Sequence, residues 1–143
     1  MIPWLTKDGL LPVGVHQASL EELRDRFGRQ NAARRRLFKG LTRAVENLRE
    51  AGVKRVYVDG SFVTDKPFPS DVDGCWETDA DIDLVELDEV FLDFGERRRR
   101  MKERYGVDFF PCSSTEGDSK KAFLDFFQVD KDGRSKGIVM IEQ

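Results

Sequence analysis

Asp71, Asp73 and Asp108 stand inside short apolar runs, Asp71-Val72-Asp73-Gly74-Cys75-Trp76 and Val107-Asp108-Phe109-Phe110. A buried strand tolerates an unpaired carboxylate only at considerable cost. A fold that uses both runs as strands must therefore bring the acids together around something positive. Side chains at i and i+2 of a strand point to one face, roughly 6–7 Å apart along it. Asp71 and Asp73 thus form a pair able to share divalent ions, with oxygen donors suited to Mg²⁺ or Mn²⁺ and room left for phosphates. Asp108, in its own strand, is the third candidate ligand.

Ahead of the pair, Lys54-Arg55-Val56-Tyr57-Val58-Asp59 alternates as a strand and ends at Gly60-Ser61, with nine residues between Ser61 and Asp71. Glycine lets a phosphate approach the backbone, whose N–H groups cradle it, and serine adds a hydroxyl donor. Alone, Gly-Ser marks only a tight turn, and the Gly-Lys-Ser/Thr of a Walker loop is absent. Beside Asp-x-Asp and a later acid it becomes a candidate phosphate-binding turn.

The remaining elements follow from periodicity. Residues 1–18 read as an extended arm packed on the domain. Ser19 and Glu22 form a capping box opening a helix to about Phe27. From Gln30 to Glu50, Leu37, Leu41, Ala44, Val45 and Leu48 recur at helical spacing, with Gly52 as the stop. Asp83 and Glu86 predict a helix over Leu84–Phe91, and a further one spans about Glu96–Arg104. A helix near Lys120–Phe126 and a hairpin, Phe126–Asp130 with Gly137–Ile141 around the Lys131–Arg134 turn, complete the chain. The expectation is one α/β (α+β) domain over residues 1–143, a small mixed sheet flanked by helices.

Charge is sharply segregated. Eleven Lys or Arg stand against three acids from Arg24 to Arg55, and twelve acids against one base, Lys66, from Asp59 to Asp93. Many of these acids are expected on a solvated face. The basic block Arg24–Lys39 is a candidate for nucleic-acid phosphates, although its arginines fall around the helix and no aromatic residues interleave with them. No signal peptide or membrane-length apolar stretch is visible, and Cys75 and Cys112 are isolated, so a cytoplasmic protein with reduced thiols, free of the membrane, is expected. The stretch from Gln128 to Val139 lacks the ligands of a calcium loop.

Among other candidates, Arg98 and Lys102 share a helix face just before the Asp108 strand and suit phosphate neutralisation or plain solvation. Lys66 sits in the loop between the phosphate turn and the acid pair, and Lys136 is a similar candidate. His16, the sole histidine, reads as structural. Asp81-Ile82-Asp83 is a rival Asp-x-Asp, but nineteen residues separate it from Ser61, and Asp83 has a local explanation as a helix cap.

Gly60-Ser61, the spacing to Asp71-Val72-Asp73, and Asp108 on a later strand resemble the polymerase-beta-like nucleotidyltransferase superfamily. The chain is also similar to a family of small bacterial proteins with this minimal nucleotidyltransferase motif. That likeness runs through Leu10–His16, Gly60–Lys66, Asp71–Trp76, Leu92–Phe94, Tyr105–Pro111, and Phe126–Gln128 leading to Lys136–Val139. It departs at Gly74, where a larger apolar residue usually follows the second acid, which suggests a shortened strand. The resemblance implies the nucleotidyltransferase fold and transfer of a nucleoside monophosphate from ATP or another NTP, with Mg²⁺, to a hydroxyl. Gly60 and Ser61 would hold the triphosphate, Asp71 and Asp73 the metals, and Asp108 one metal and the acceptor hydroxyl. The acceptor is RNA, a protein or a small molecule. So short a chain leaves little room to bind it, which implies a protein partner or homo-oligomer. The competing expectation is a non-catalytic interaction module of the same fold, such as a toxin–antitoxin component.

Overall fold

Asn31 starts the longest helix: its side chain accepts a hydrogen bond from the Arg34 amide (2.8 Å), and α2 runs from there over Ala32–Glu50. Leu37, Leu41, Ala44, Val45 and Leu48 are its buried stripe, as their spacing predicts. The chain leaves it at Ala51-Gly52, where the Gly52 amide bonds to the Arg49 carbonyl (2.9 Å). Helix α1, Leu20–Phe27, is capped by Ser19 as expected, the Ser19 hydroxyl accepting from the Glu22 amide (3.1 Å). The computed structural model describes residues 1–113, 128, 133 and 135–143.

The five strands are β1 (Val15–Gln17), β2 (Arg55–Asp59), β3 (Val72–Trp76), β4 (Val107–Pro111) and β5 (Ile138–Glu142). They form one sheet in the order β1-β5-β2-β3-β4. β2 pairs antiparallel with β3 and β5, while β1–β5 and β3–β4 are parallel. The architecture is therefore a mixed α+β sheet with helices packed against it. Val56, Val58, Val72, Val107, Phe109, Val139 and Ile141 join the apolar stripes of α1 and α2 in the main core. The alternate residues Tyr57, Cys75 and Ile138 form a second, smaller cluster.

Several expectations are revised. The arm is not wholly irregular, because β1 lies within it and pairs with β5. Three residues beside a proline and two glycines were too short for a periodic signal. The helix expected over Leu84–Phe91 shrinks to a turn closed by the Leu87 amide on the Asp83 carbonyl (3.1 Å), followed by a 3₁₀ turn at Glu89–Leu92. Leu84 and Val85 are 67% and 90% exposed, whereas Leu87, Val90 and Phe91 are buried, so only the second half of the segment packs on the core and helical order in the first half would gain no burial. The isolated cysteines are neighbours in space, with the Cys112 thiol donating to Cys75 Sγ (2.8 Å). The helix expected near Lys120–Phe126 lies outside the described residues. So does the Phe126–Asp130 half of the hairpin apart from Gln128, and its turn apart from Gly133.

Helix α3, Gly95–Tyr105, contains an irregularity the sequence did not announce. Glu96, Arg97 and Arg98 have left-handed backbones, φ 51°, 58° and 60°. Such geometry costs L-residues on the order of 1–2 kcal/mol each. It begins after Asp93 accepts the Gly95 amide (3.1 Å), and it delivers the Arg98 side chain to β4. Further along, α3 crosses α2 at Gly40, where a Cβ would collide with the Tyr105 carbonyl oxygen.

Candidate active site

Strand register assembles the acids. Asp59 on β2 lies opposite Asp73 on β3, and Asp73 lies opposite Asp108 on β4. Register partners on adjacent strands project to the same face, so these three form a row, with Asp71 two residues before Asp73 on that face. Oxygens of Asp71, Asp73 and Asp108 all lie within 4.8 Å of one another. Their sequence neighbours Val72, Val107 and Phe109 point the other way, into the main core. The alternation that made the acids conspicuous is what places them together.

Crowding and burial disfavour their charged forms. Burial pushes the Asp73 carboxyl up to about 7, reinforced by Asp71, then Asp108 and Asp59. Asp71 is raised by burial and then by Asp108. Neither makes an ion pair or a side-chain hydrogen bond among the described residues. Asp108 differs. The Arg98 guanidinium donates to it twice, Nε to Oδ1 (2.8 Å) and Nη2 to Oδ2 (3.0 Å), and Lys102 Nζ stands 3.6 Å from Oδ2. The Arg98 guanidinium also lies over the Phe110 ring, 4.9 Å from its centroid. Arg98 and Lys102, candidates for phosphate neutralisation or plain solvation, meet the third carboxylate directly.

The Gly60-Ser61 turn borders the same cluster. Gly60 takes φ +75°, and a Cβ there would run into the Asp73 carboxylate, so only glycine lets the turn lie against the acid. Gly60–Val63 is a 3₁₀ turn following β2. The Ser61 hydroxyl has no hydrogen-bond partner among the described residues, while its carbonyl accepts from the Thr64 hydroxyl (2.7 Å).

What fixes this turn is Arg34, a residue the sequence reading passed over. It is 3% exposed, and its guanidinium donates to the carbonyls of Phe27 (2.9 Å), Phe62 (2.7 Å), Ser61 (3.3 Å), Thr64 (3.0 Å) and Lys66. Burial lowers its pKa, against the pull of Asp65. The signal was present, because Arg34 continues the apolar stripe of Leu37, Leu41, Ala44 and Leu48 one turn earlier. A charged residue in a buried stripe requires saturating acceptors, and this loop's carbonyls are those acceptors.

Asp59 was also missed as a member of the cluster. It is 2% exposed, its carboxyl is raised to about 6 by burial against the opposing pull of Lys136, and Lys136 Nζ lies 3.1 Å from its Oδ2. Lys136 is thus a partly buried counter-ion of the fourth acid. Lys66 is exposed in the loop before Asp71, and its charge opposes the upward shift of that acid. His16 is structural, its Nε2 donating to the Pro12 carbonyl (2.7 Å).

The rival pair stays at the opposite end of the sheet. The Asp83 amide donates to the Ala51 carbonyl (2.7 Å) and its side chain accepts from the Val85 amide (2.9 Å). Asp81 reaches only Lys54, at 3.7 Å. Gly74 does not shorten β3, which runs the full five residues to Trp76. A side chain there would collide with the Tyr57 carbonyl and the Phe109 ring, so Phe109 fills the space that a larger residue would occupy.

The donor set suits a hard divalent cation: three carboxylates, two of them partly buried without a cationic partner and both with pKa values raised by burial and by the charge of neighbouring carboxylates. Among the described residues no helix is long and apolar enough to cross a membrane. A family model described as a family of unknown function (DUF6932) matches residues 3–142. Searches of curated proteins and of solved structures returned no match.

Proposed function

We propose that this chain, which belongs to the family of unknown function DUF6932, is a metal-dependent nucleotidyltransferase moving a nucleoside monophosphate from an NTP to a hydroxyl acceptor. The observation that carries this reading is the convergence of Asp71, Asp73 and Asp108 to within 4.8 Å against a glycine turn whose serine hydroxyl has no partner among the described residues. Asp71 and Asp73 would hold Mg²⁺ or Mn²⁺, with Asp108 as a further ligand. When bound, the cations supply positive charge to the triphosphate and to the attacking and leaving oxygens.

The chain's own groups account for the rest. Amides of the Gly60-Ser61 turn and the Ser61 hydroxyl receive the triphosphate, held in place by the Arg34 clamp. Lys66 lies beside that path. The acceptor oxygen bonds to the α-phosphorus, the bond from that phosphorus to the β-bridging oxygen breaks, and pyrophosphate leaves. The acceptor proton passes to the Asp108 carboxylate once Arg98 and Lys102 exchange part of their contact with it for phosphate oxygens. NTPs and reduced thiols both belong to the cytoplasm, so the reading places the chain there.

The pairing of Asp108 with Arg98 and Lys102 favours a second reading, a non-catalytic module of a toxin–antitoxin type in which that carboxylate is structural. One experiment decides between them. Each of four α-labelled NTPs is incubated with Mg²⁺ or Mn²⁺ and with RNA, cell protein or small-molecule extract, using wild type and Asp108→Asn. The transferase reading expects label transfer by wild type and a loss of roughly a thousand-fold in the variant, as for removal of a ligand and proton acceptor. Absence of transfer from the wild type under every combination sinks it.

A further inference from the structure

The cations between Arg24 and Arg55 differ in their partners. Arg24 and Arg29 pair with Asp25 at 3.1 and 3.0 Å, and Arg55 pairs with Glu77 at 3.1 Å. By contrast Arg35, Arg36, Lys39 and Arg43 are exposed and have no carboxylate partner among the described residues. Arg35, Lys39 and Arg43 are spaced i, i+4, i+8 on α2, so they share one face with about 6 Å of helix rise between successive charges. The impression that these arginines merely encircle the helix is therefore incomplete, since those without a carboxylate partner make a stripe, although Arg35 donates to the Arg29 carbonyl (3.2 Å) and Arg43 lies over the Tyr105 ring (5.3 Å).

That stripe lines a groove of about 790 Å³ between α2 and the C-terminal part of α3, with Arg36, Ser70 and Lys102 also in its wall. Its floor is the close crossing of the two helices at Gly40. Its single acid, Glu103, lies 3.8 Å from Arg99. Ser70 adjoins Asp71 in the chain and Lys102 stands 3.6 Å from Asp108, so this end of the groove neighbours the carboxylate cluster, although none of its three acids lines the groove.

We propose that this groove binds the phosphodiester backbone of a nucleic-acid strand whose terminal hydroxyl enters the carboxylate site. The proposal rests on the transferase reading for the role of that hydroxyl, but not for the binding itself. A triphosphate alone would leave most of the stripe unmatched, because the Gly60-Ser61 turn is the place for it. An acidic protein surface fits less well. Protein interfaces are anchored by exposed aromatic or apolar residues, and the one aromatic ring in this wall, Tyr105, is buried with its hydroxyl donated to Asp88 (2.6 Å). Regularly spaced cations without stacking rings are what backbone recognition requires, and they read charge and not sequence.

The test measures binding apart from catalysis. Fluorescein-labelled 12-nucleotide RNA and DNA strands are titrated with the protein by fluorescence anisotropy, in EDTA without nucleotide, at several salt concentrations. Wild type is expected to bind at least one of the two strands, with affinity falling steeply as salt rises; about −0.7 in log–log slope accompanies each phosphate neutralised. Arg35→Glu/Lys39→Glu/Arg43→Glu should weaken binding at least ten-fold and flatten the slope. The neutral triple glutamine variant should do so less, and Lys54→Glu at the far end of the sheet should change nothing. Melting curves of these exposed-site variants establish that they are folded. Failure of wild type to bind either strand at low salt overturns the proposal, as does equal binding by the triple glutamate variant or equally effective competition by polyglutamate. Binding without NTP transfer would instead leave the groove standing and remove the transferase.

Discussion

Two acid-rich regions lie next to each other in the chain and treat their charge in opposite ways. In the segment after β3 each of several acids has a local partner. Glu77 binds Arg55 (3.1 Å), Asp79 lies 3.6 Å from Lys54, and Asp88 accepts from both Arg104 (2.8 Å) and the Tyr105 hydroxyl (2.6 Å). On the sheet, Asp71 and Asp73 face one another and Asp108 with no cation of their own. The direction of the pKa shifts follows. Burial opposes ionisation of Asp88, yet Tyr105, Arg104 and the Val90 amide outweigh it and lower its pKa, whereas Asp73 is pushed up to about 7. Acids that are satisfied in place do structural work. Acids held together unsatisfied store a demand for positive charge, and sites that act on ligands show such perturbation more often than structural ones do.

The largest expected effect is on the pH dependence of stability. A carboxyl whose pKa is higher folded than unfolded binds protons more tightly in the native state, so stability falls as pH rises between the two values. For Asp73 that window runs from about 4 to about 7, and the cost on full ionisation is at most on the order of 4 kcal/mol, less because the group is not fully buried. Asp88 has the opposite sign: its contribution is complete above the unfolded value and is lost as pH falls below about 4. Urea unfolding of the metal-free protein should therefore show declining stability from pH 4 to 7. Asp73→Asn should flatten that decline, and Asp88→Asn should leave it in place. A wild-type stability that climbs steadily through this window would contradict the comparison.

Next in size is the response to cations. Saturating Mg²⁺ or Mn²⁺ should stabilise wild type by about 2.7 kcal/mol at a hundred-fold excess over the dissociation constant. Asp71→Asn/Asp73→Asn should lose most of that gain while being no less stable than wild type when metal-free, because repulsion has been removed. Thermal melts with and without each ion measure both effects. Equal shifts in the two proteins would mean that the ions bind elsewhere, the crowded loop acids included.

The difference between the regions also marks what could be read from the chain alone. Apolar alternation around Asp73 and Asp108 was sufficient to put both on strands, and the i, i+2 spacing put Asp71 beside Asp73. Asp59 obeys the same alternation, but its pairing with Lys136 depends on β5 lying beside β2, a contact between distant segments that local spacing does not encode. Arg34 was legible in principle from the helical stripe; its acceptors were not, because they belong to an irregular loop. The left-handed turn at Glu96–Arg98 had no sequence signal, since none of these residues favours that conformation. After Asp83 the cap sets a turn, but Leu84 and Val85 behind it stay exposed and add no burial that would extend it into a helix.

The smallest expected effect belongs to the rival acid pair, and it tests the comparison from its weak side. Asp81 is exposed, and its contact with Lys54 at 3.7 Å is of the kind that contributes well under 1 kcal/mol. Asp83 holds a short turn through the Val85 amide (2.9 Å) and, at the limit of reach, the Glu86 amide (3.4 Å). Asparagine keeps an acceptor oxygen at that position and is itself a good cap. Asp81→Asn/Asp83→Asn should therefore move stability by about 0.5 kcal/mol or less, within the usual range for surface changes. Stabilisation by Mg²⁺ or Mn²⁺ should remain at the wild-type value, because neither acid joins the cluster at the other end of the sheet. The same thermal melts measure both quantities on one sample. A double variant that loses its metal response while Asp71→Asn/Asp73→Asn keeps it would transfer the site to Asp81 and Asp83 and reverse the assignment of the two regions.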